Sequence, residues 1–479
     1  MNRETLSGLS KDELIEIMLA QGRQIAVLQQ RIAELEERLG GPPKSSRNSS
    51  LPPSRDRKAN KPPGPEGQRR QASVGRRGGG RQLHGDPDER IEARLKRCPH
   101  CAAALAAAAQ TPQARYDKIE LPPVRPLVRQ VTLYGCRCRR CGRRVVAPAP
   151  AGLEPGSPFG ASVAALAIYL RYAHAIGYER LAALFGQLFG LAISEGALAN
   201  LFRRAKPCFD QQAAAILARL RRARLICSDE TSARVHGRNQ WQWVFQNETL
   251  CVHVIRPSRG RVVPEEVLAG HRPQVWVSDL YGAQRGHADE WQICLAHQLR
   301  DCKYASEAGD VLFAPRLKQL LLRAIVIGRR RAGLKAATLA QYRADLERRL
   351  DKIMALQPTH KDGRRLRQRY GQFRDHLFTF ITDPTVPPTN NGSERDLRPS
   401  VIFRKVTNGF RSDWGADFFA GVRSAIDTGR RHALSPLDAI RTTLAAAIAG
   451  RGSTLRNYRD ANNLPGSAQL VHRVYGRAN

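Results

Sequence analysis

Near the start of the chain, apolar residues recur in alternating steps of four and three: Leu14, Met18, Gln21, Ile25, Leu28, Ile32, Leu35 and Leu39. This heptad seam, with Gln21 its one polar position, predicts a helix over 10–40 that pairs as a coiled coil. A single amphipathic helix docked on the protein's own core is the alternative. Ser10 ahead of Lys11-Asp12-Glu13 is an N-cap signal, and Gly40-Gly41-Pro42-Pro43 is a stop. Residues 41–90 then offer almost nothing apolar to bury. Their Ser, Pro, Gly, Arg and Lys predict a disordered basic linker.

Further on, 126–134 is strand-like and runs into a pair of cysteines. Residues 159–223 turn helical, with one helix over 163–175, one over 178–186, one capped by Ser194 and reaching Arg204, and another near 208–222. The two around Gly190-Leu191-Ala192-Ile193-Ser194 resemble a helix-turn-helix, with Arg203 and Arg204 near its end. Plain packing explains such a pair equally well.

The pattern then changes to strands. Arg224-Leu225-Ile226-Cys227-Ser228-Asp229-Glu230-Thr231 reads as an apolar strand ending in acid, and Gln274-Val275-Trp276-Val277-Ser278-Asp279 as a second. Between them lie strands over 241–245 and 250–255, turning at Asn247-Glu248-Thr249. A meander followed by a strand returning beside the first places Asp229 and Asp279 side by side at one sheet edge. In a continuing strand Glu230 points away from Asp229. The next stretch, 299–383, reads helical at 320–326, 339–354 and 364–380. Helices over 417–430 and 436–449 follow, and the tail from 453 is polar.

Composition sharpens the functional question. The 479 residues include 78 basic and 43 acidic, a net charge of +35, and 65 of the 78 are Arg. Such an excess points to a polyanion, and Arg is the side chain suited to bidentate phosphate contacts. A GC-rich genome explains Arg over Lys but not basic over acidic. The N-terminus has no secretory signal pattern, and no run approaches the roughly 20 apolar residues of a membrane span. The ten cysteines are clustered rather than spread, which suits metal binding in a reducing cytoplasm. Cys98-Pro99-His100-Cys101 and Cys138-Arg139-Arg140-Cys141 are two CxxC knuckles that suit a closed structural Zn²⁺ site, with His100 and Cys136 as spare ligands. Cys294 and His297 form a CxxH pair, but two ligands alone are not a site.

Several separated motifs together resemble the transposases of the insertion sequence 66 family, part of the larger group with an Asp-Asp-Glu triad. They are Asn48-Ser49-Ser50-Leu51-Pro52-Pro53-Ser54-Arg55-Asp56, the paired knuckles, Ser228-Asp229-Glu230-Thr231 with Trp241-Gln242-Trp243-Val244, and Ser278-Asp279-Leu280-Tyr281 with Cys294-Leu295-Ala296-His297-Gln298-Leu299-Arg300-Asp301. The most specific is the last, Asn390-Asn391-Gly392-Ser393-Glu394-Arg395-Asp396-Leu397-Arg398-Pro399 with Arg404-Lys405. The chain departs from the family at Leu280 and Gln284, and Cys136 adds a thiol. The resemblance implies a ribonuclease-H-like core in which Asp229, Asp279 and Glu394 hold Mg²⁺, or Mn²⁺ in its place, for DNA strand cleavage and strand transfer. It also implies double-stranded DNA, both element ends and target, as partner, and helper proteins from the same element. Three carboxylates fit this chemistry, because Mg²⁺ takes hard oxygen ligands and keeps positions for water and substrate. Arg203, Arg204, Arg395, Arg398, Arg404 and Lys405 are the candidate DNA contacts.

The expected fold class is multidomain α/β. It comprises a coiled-coil helix (10–40) that makes a homo-oligomer, a basic linker (41–90), a zinc-ribbon-like module (91–150) and a helical DNA-binding region (159–223). The catalytic core comes in two parts (224–298 and 384–452) around a helical insertion (299–383), and a tail (453–479) closes the chain. The expected setting is the bacterial cytoplasm, at the nucleoid.

Overall fold

The computed structural model describes residues 82–150 and 152–448, together with residues 10, 12, 15–25, 27, 28, 42, 44–49 and 56. It divides into two compact units. One is Lys58–Val128 with Gly186–Leu191; the other is Met1–Arg57, Arg129–Phe185 and Ala192–Asn479.

In the larger unit, a short hairpin of β1 (Gly135–Arg137) and β2 (Arg144–Val146) stands apart from a five-stranded sheet. The strand expected over 126–134 is absent. A strand needs a partner for its N–H and C=O groups; the Tyr134 carbonyl still accepts the Ala147 N–H at 2.8 Å, but Pro148 and Pro150 follow there and offer no N–H. The apolar side chains of the run, Leu127, Val128 and Tyr134, are exposed.

The large sheet comprises β3 (Leu225–Val235), β4 (Arg238–Gln246), β5 (Cys251–Arg256), β6 (Val275–Ser278) and β7 (Glu290–Ile293), in the order β5-β4-β3-β6-β7. The β3–β4 and β4–β5 pairs are antiparallel, whereas β6 lies parallel to both β3 and β7. The expected meander and return strand are therefore present, and β7 is an addition to the reading. A two-residue turn at His236 and Gly237, with φ of 50° and 73°, joins β3 to β4; positive φ at both positions matches the right-handed twist of paired strands.

The sheet is covered on both faces. Ile226, Trp243, Phe245 and Trp276 pack with Ile216 and Leu220 on one side. Cys227, Val275 and Val277 pack on the other with Leu295, Phe313, Leu346, Tyr370 and Phe380. This second cluster draws in helices Phe313–Arg330, Ala336–Met354 and Lys361–Phe373, which fall where the sequence predicts helices. They share the core of the sheet, which is a scaffold's position.

Helices Ala161–Tyr172 and Tyr178–Phe189 agree with expectation within a few residues. The Ser194 cap is also as read, its Oγ accepting from the Ala197 N–H at 3.2 Å. The next two expected helices are one, Glu195–Leu220, with Pro207 inside it. Proline deletes one helical hydrogen bond, but Leu201, Phe202 and Ala205 before it and Phe209, Ile216 and Leu220 after it are all buried. That common buried face outweighs the loss. Helix Asp413–Arg431 packs on β5 and on this long helix, and Pro436–Ile448 follows.

At the N-terminus, residues 15–25 are helical and Ile15, Met18, Ile25 and Leu28 are exposed; Leu14, Ile32, Leu35 and Leu39 of the seam lie outside the described residues. Residues 44–49 differ from a disordered linker. They form a turn in which Asn48, 5% exposed, donates to Glu307 Oε2 at 2.7 Å.

Candidate active site

The expectation placed Asp229 at a strand end, but β3 continues to Val235 because β4 pairs with it throughout, Asp229 opposite Val244. The strand that stops is β6. Its pairing with β3 runs from Leu225↔Val275 to Cys227↔Val277, and its last residue is Ser278. Carried two residues further, this register sets Asp279 beside Asp229. Asp229 follows Cys227 by two and so looks to the same face. Asp229 Oδ1 accepts the Glu230 N–H at 2.9 Å, and Asp279 Oδ1 accepts the Tyr281 N–H at 2.9 Å, which fixes the turn after β6. Glu230 points away as expected: its carboxylate accepts from Arg259 at 2.8 Å and from Gln284 at 2.7 Å.

Glu394 comes from the first turn of helix Asn391–Thr407, which packs across β3 and β4. Leu397 anchors it against Val244 and Cys251. Glu394 Oε1 lies 3.4 Å from an Arg300 nitrogen and 3.7 Å from His297 Nε2, both on helix Leu295–Glu307. His297 Nδ1 and Arg300 Nε are buried here with no partner among the described residues. Asp396 leaves this face and pairs with Arg431 at 2.6 Å. Cys294 is structural: its buried Sγ accepts the Asn390 N–H at 3.1 Å, and burial pushes its thiol up to about 11.

Charge makes Asp229 unusual. Burial, then Glu230, Asp279 and Glu394, push the Asp229 carboxyl well above the ordinary carboxylate range. Burial and then Asp279 raise Glu230 as well, while burial and Arg300 lower His297. Yet in a chain of net charge +35 neither Asp229 nor Asp279 has an ion-pair partner among the described residues. Two neighbouring aspartates without a basic partner, with a glutamate near them, are a donor set that suits a divalent ion. Their oxygens do not all lie within 4.8 Å of one another; among the described residues only Cys251, His253 and Asp427 achieve that.

That buried cluster escaped the sequence reading, since its members come from β5 and a distant helix. His253 Nε2 lies 3.0 Å from Asp427 Oδ2 and 3.4 Å from Cys251 Sγ, and Gln242 Nε2 lies 3.0 Å from His253 Nδ1. Arg423 binds both Asp427 oxygens at 2.7 Å. The guanidinium is on the carboxylate and both imidazole nitrogens are engaged, while Arg423 Nε is buried with no partner among the described residues.

The two cysteine knuckles are alike. The Cys98 N–H donates to the Ala103 carbonyl and the Ala102 N–H to the Cys98 carbonyl, both at 2.9 Å; Cys138 with Arg143 and Gly142 repeats this at 2.8 Å. Ala102 and Gly142 share a left-handed conformation, φ 59° and 69°. Backbone N–H groups lower the thiol of Cys98, led by that of His100, and that of Cys138, led by that of Cys141. Each knuckle thus brings its own pair together, Cys98 with Cys101 in the smaller unit and Cys138 with Cys141 in the larger.

Among the candidate DNA contacts, Arg395, Arg398 and Lys405 are exposed along one face of the Glu394 helix. Arg404 is half-buried, its guanidinium bonded to the Ser232 hydroxyl and carbonyl on β3. Arg203 and Arg204 are exposed, with Arg203 5.0 Å from the Trp414 ring. No helix among the described residues is long and apolar enough to cross a membrane.

A family model described as Transposase IS66 family matches residues 156–418, the stretch that holds both aspartates and Glu394. A second model, for a family of unknown function (DUF6444), matches residues 7–89. Both knuckles fall between the two. No curated protein gives a match.

Proposed function

The chain belongs to the Transposase IS66 family, and from that premise we propose that it cuts and joins DNA strands with Asp229, Asp279 and Glu394 as its catalytic carboxylates. The observation that carries the reading is electrostatic. Two aspartates meet where β6 ends, a glutamate faces them from the helix crossing β3 and β4, and neither aspartate has a basic partner among the described residues. We read the sheet as ribonuclease-H-like, because its order is β5-β4-β3-β6-β7 and β4 alone runs against the others.

Asp229, Asp279 and Glu394 would hold the Mg²⁺ or Mn²⁺ ions, which when bound activate the attacking oxygen and stabilise the leaving one. The carboxylates fix where the scissile phosphate sits. Arg395, Arg398 and Lys405 lie along the helix beyond Glu394 and bind the flanking phosphates of double-stranded DNA; Arg203 and Arg204 add a second basic edge. In cleavage a water molecule attacks the phosphorus at an element end; the new P–O bond leaves a 5′-phosphate on one strand piece, and the displaced 3′-oxygen takes up a proton to become a 3′-hydroxyl. That hydroxyl then attacks a phosphate of target DNA, displacing its 3′-oxygen.

In this reading Cys98 and Cys101 of one knuckle, and Cys138 and Cys141 of the other, are thiolate ligands for structural Zn²⁺. Two knuckles with the same hydrogen bonds and the same left-handed residue support it. The exposed apolar positions Met18, Ile25 and Leu28 support self-association through the N-terminal helix. In this reading the protein acts in the bacterial cytoplasm, at the nucleoid.

The test is cleavage and strand transfer on DNA carrying the element ends. Asp229→Asn should abolish both and leave end binding intact. Undiminished cleavage by that variant in saturating Mg²⁺ refutes the assignment, and cut ends without joined products reduce the protein to a nuclease.

A further inference from the structure

Asn390 directly precedes the Glu394 helix. Asparagine there ordinarily caps its own helix, its side-chain oxygen accepting an N–H two or three residues on. Asn390 makes no such cap. It is 1% exposed, and its side chain is spent on other segments. Nδ2 donates to the carbonyl of Ser228, the residue before Asp229, at 2.7 Å. Oδ1 accepts from the hydroxyl of Ser393, the residue before Glu394, at 2.7 Å.

The backbone of Asn390 is committed too. Its N–H meets Cys294 Sγ, the residue at the head of the helix bearing His297 and Arg300. Its carbonyl accepts the Glu394 N–H at 3.3 Å. Ser393 Oγ in turn accepts from Gln246 Nε2 of β4 at 3.2 Å. A Cβ on Gly392 would stand 2.9 Å from that same Gln246 Nε2, so the helix start sits flush against the sheet.

We infer that Asn390 is the positioning residue that sets where Glu394 stands relative to Asp229. The inference rests on the triad reading. The side-chain amide of Asn390 joins the strand of the first acid to the helix of the third, and its backbone N–H adds the helix that flanks the third. The task needs a donor toward Ser228 and an acceptor toward Ser393 on one short side chain, which asparagine supplies. Aspartate has the shape but no donor, and alanine has neither group.

The experiment compares wild type with Asn390→Ala, Asn390→Asp, Ser393→Ala and, as a control, the exposed neighbour change Asn391→Ala. Mn²⁺ binding without DNA is counted from the paramagnetic resonance of the free ion. Single-turnover cleavage and the thermal midpoint are measured on the same samples. Residues that orient metal ligands change affinity about 10–100-fold, and displacement of a reacting group by about 1 Å costs about a hundredfold in rate. Folded Asn390→Ala and Asn390→Asp should therefore lose at least tenfold in Mn²⁺ affinity and about a hundredfold in cleavage rate, with Ser393→Ala between them and wild type and Asn391→Ala unchanged. A folded Asn390→Ala that binds Mn²⁺ and cleaves like wild type overturns the inference. If that variant does not fold, Ser393→Ala decides, and wild-type Mn²⁺ affinity in it also overturns the inference. A wild-type chain that binds no Mn²⁺, or an Asp229→Asn variant that binds it equally well, sinks the triad reading instead.

Discussion

Arg423 and Asp427 form a buried ion pair, 2% and 1% exposed, on the face of helix Asp413–Arg431 turned to β5. Changing Arg423 to Met keeps most of the volume and removes the charge. Asp427 is then left with His253 at 3.0 Å and the exposed Arg430 at 3.7 Å. Breaking one side of a buried pair costs about 3–5 kcal/mol, because the remaining charge stays out of water. An independent figure comes from the proton. Burial opposes the Asp427 carboxylate, but Arg423 and then His253 overcome it and bring the group from 3.8 down to about 2. At 1.36 kcal/mol per pKa unit, that drop is worth roughly 2 kcal/mol. The truncation figure is larger because it includes the stranded charge. The folded carboxyl is the more acidic one, so its contribution is complete above the unfolded value near 3.8 and fades as pH falls toward about 2. Urea unfolding at pH 7 should show Arg423→Met less stable by about 3–5 kcal/mol, and Arg423→Met with Asp427→Leu should recover most of it. The gap between wild type and the single variant should narrow below about pH 4. A loss under about 1 kcal/mol, the size expected of an exposed pair, refutes the account of a buried ionic network.

Gly409 has φ of +95°, and a Cβ there would stand 2.4 Å from the Arg234 carbonyl oxygen, so Gly409→Ala should lower stability by about 1–3 kcal/mol in the same urea assay. In the zinc reading, purified protein carries one Zn²⁺ per chain by elemental analysis, and Cys138→Ser loses it; undiminished zinc in that variant refutes the ligand set. Arg398→Gln should weaken binding to all DNA sequences alike and reduce the slope of log K against log salt by about one. Arg404→Gln should leave that slope unchanged and lower the thermal midpoint, since Arg404 is bound to Ser232. Met18→Asp with Ile25→Asp should shift the protein to a smaller species in sedimentation if the N-terminal helix self-associates.

The sequence by itself singled out Asp229, Asp279 and Glu394 as candidates and located the strands that bear the two aspartates. Apolar runs up to Ser228 and Ser278 read as buried strands, and acids follow both. Helix periodicity across 299–380 and the Ser194 cap were equally local signals, so they were legible without a fold. What local pattern could not carry was extent and partnership. Whether β3 stops at Asp229 or runs to Val235 depends on β4 pairing along its whole length. Whether Pro207 breaks a helix depends on what covers both sides of it. The strand at 126–134 failed because its signal was propensity and its requirement was a neighbour. Which hydrogen bonds Asn390 makes is decided only by the packing that brings Ser228 and Cys294 to it. The Cys251–His253–Asp427 network had no signal at all, since its residues lie 174 positions apart at the widest ionic contact. Pattern encodes which residues want burial or water; hydrogen bonds and charges are settled by whichever groups the finished packing brings within reach.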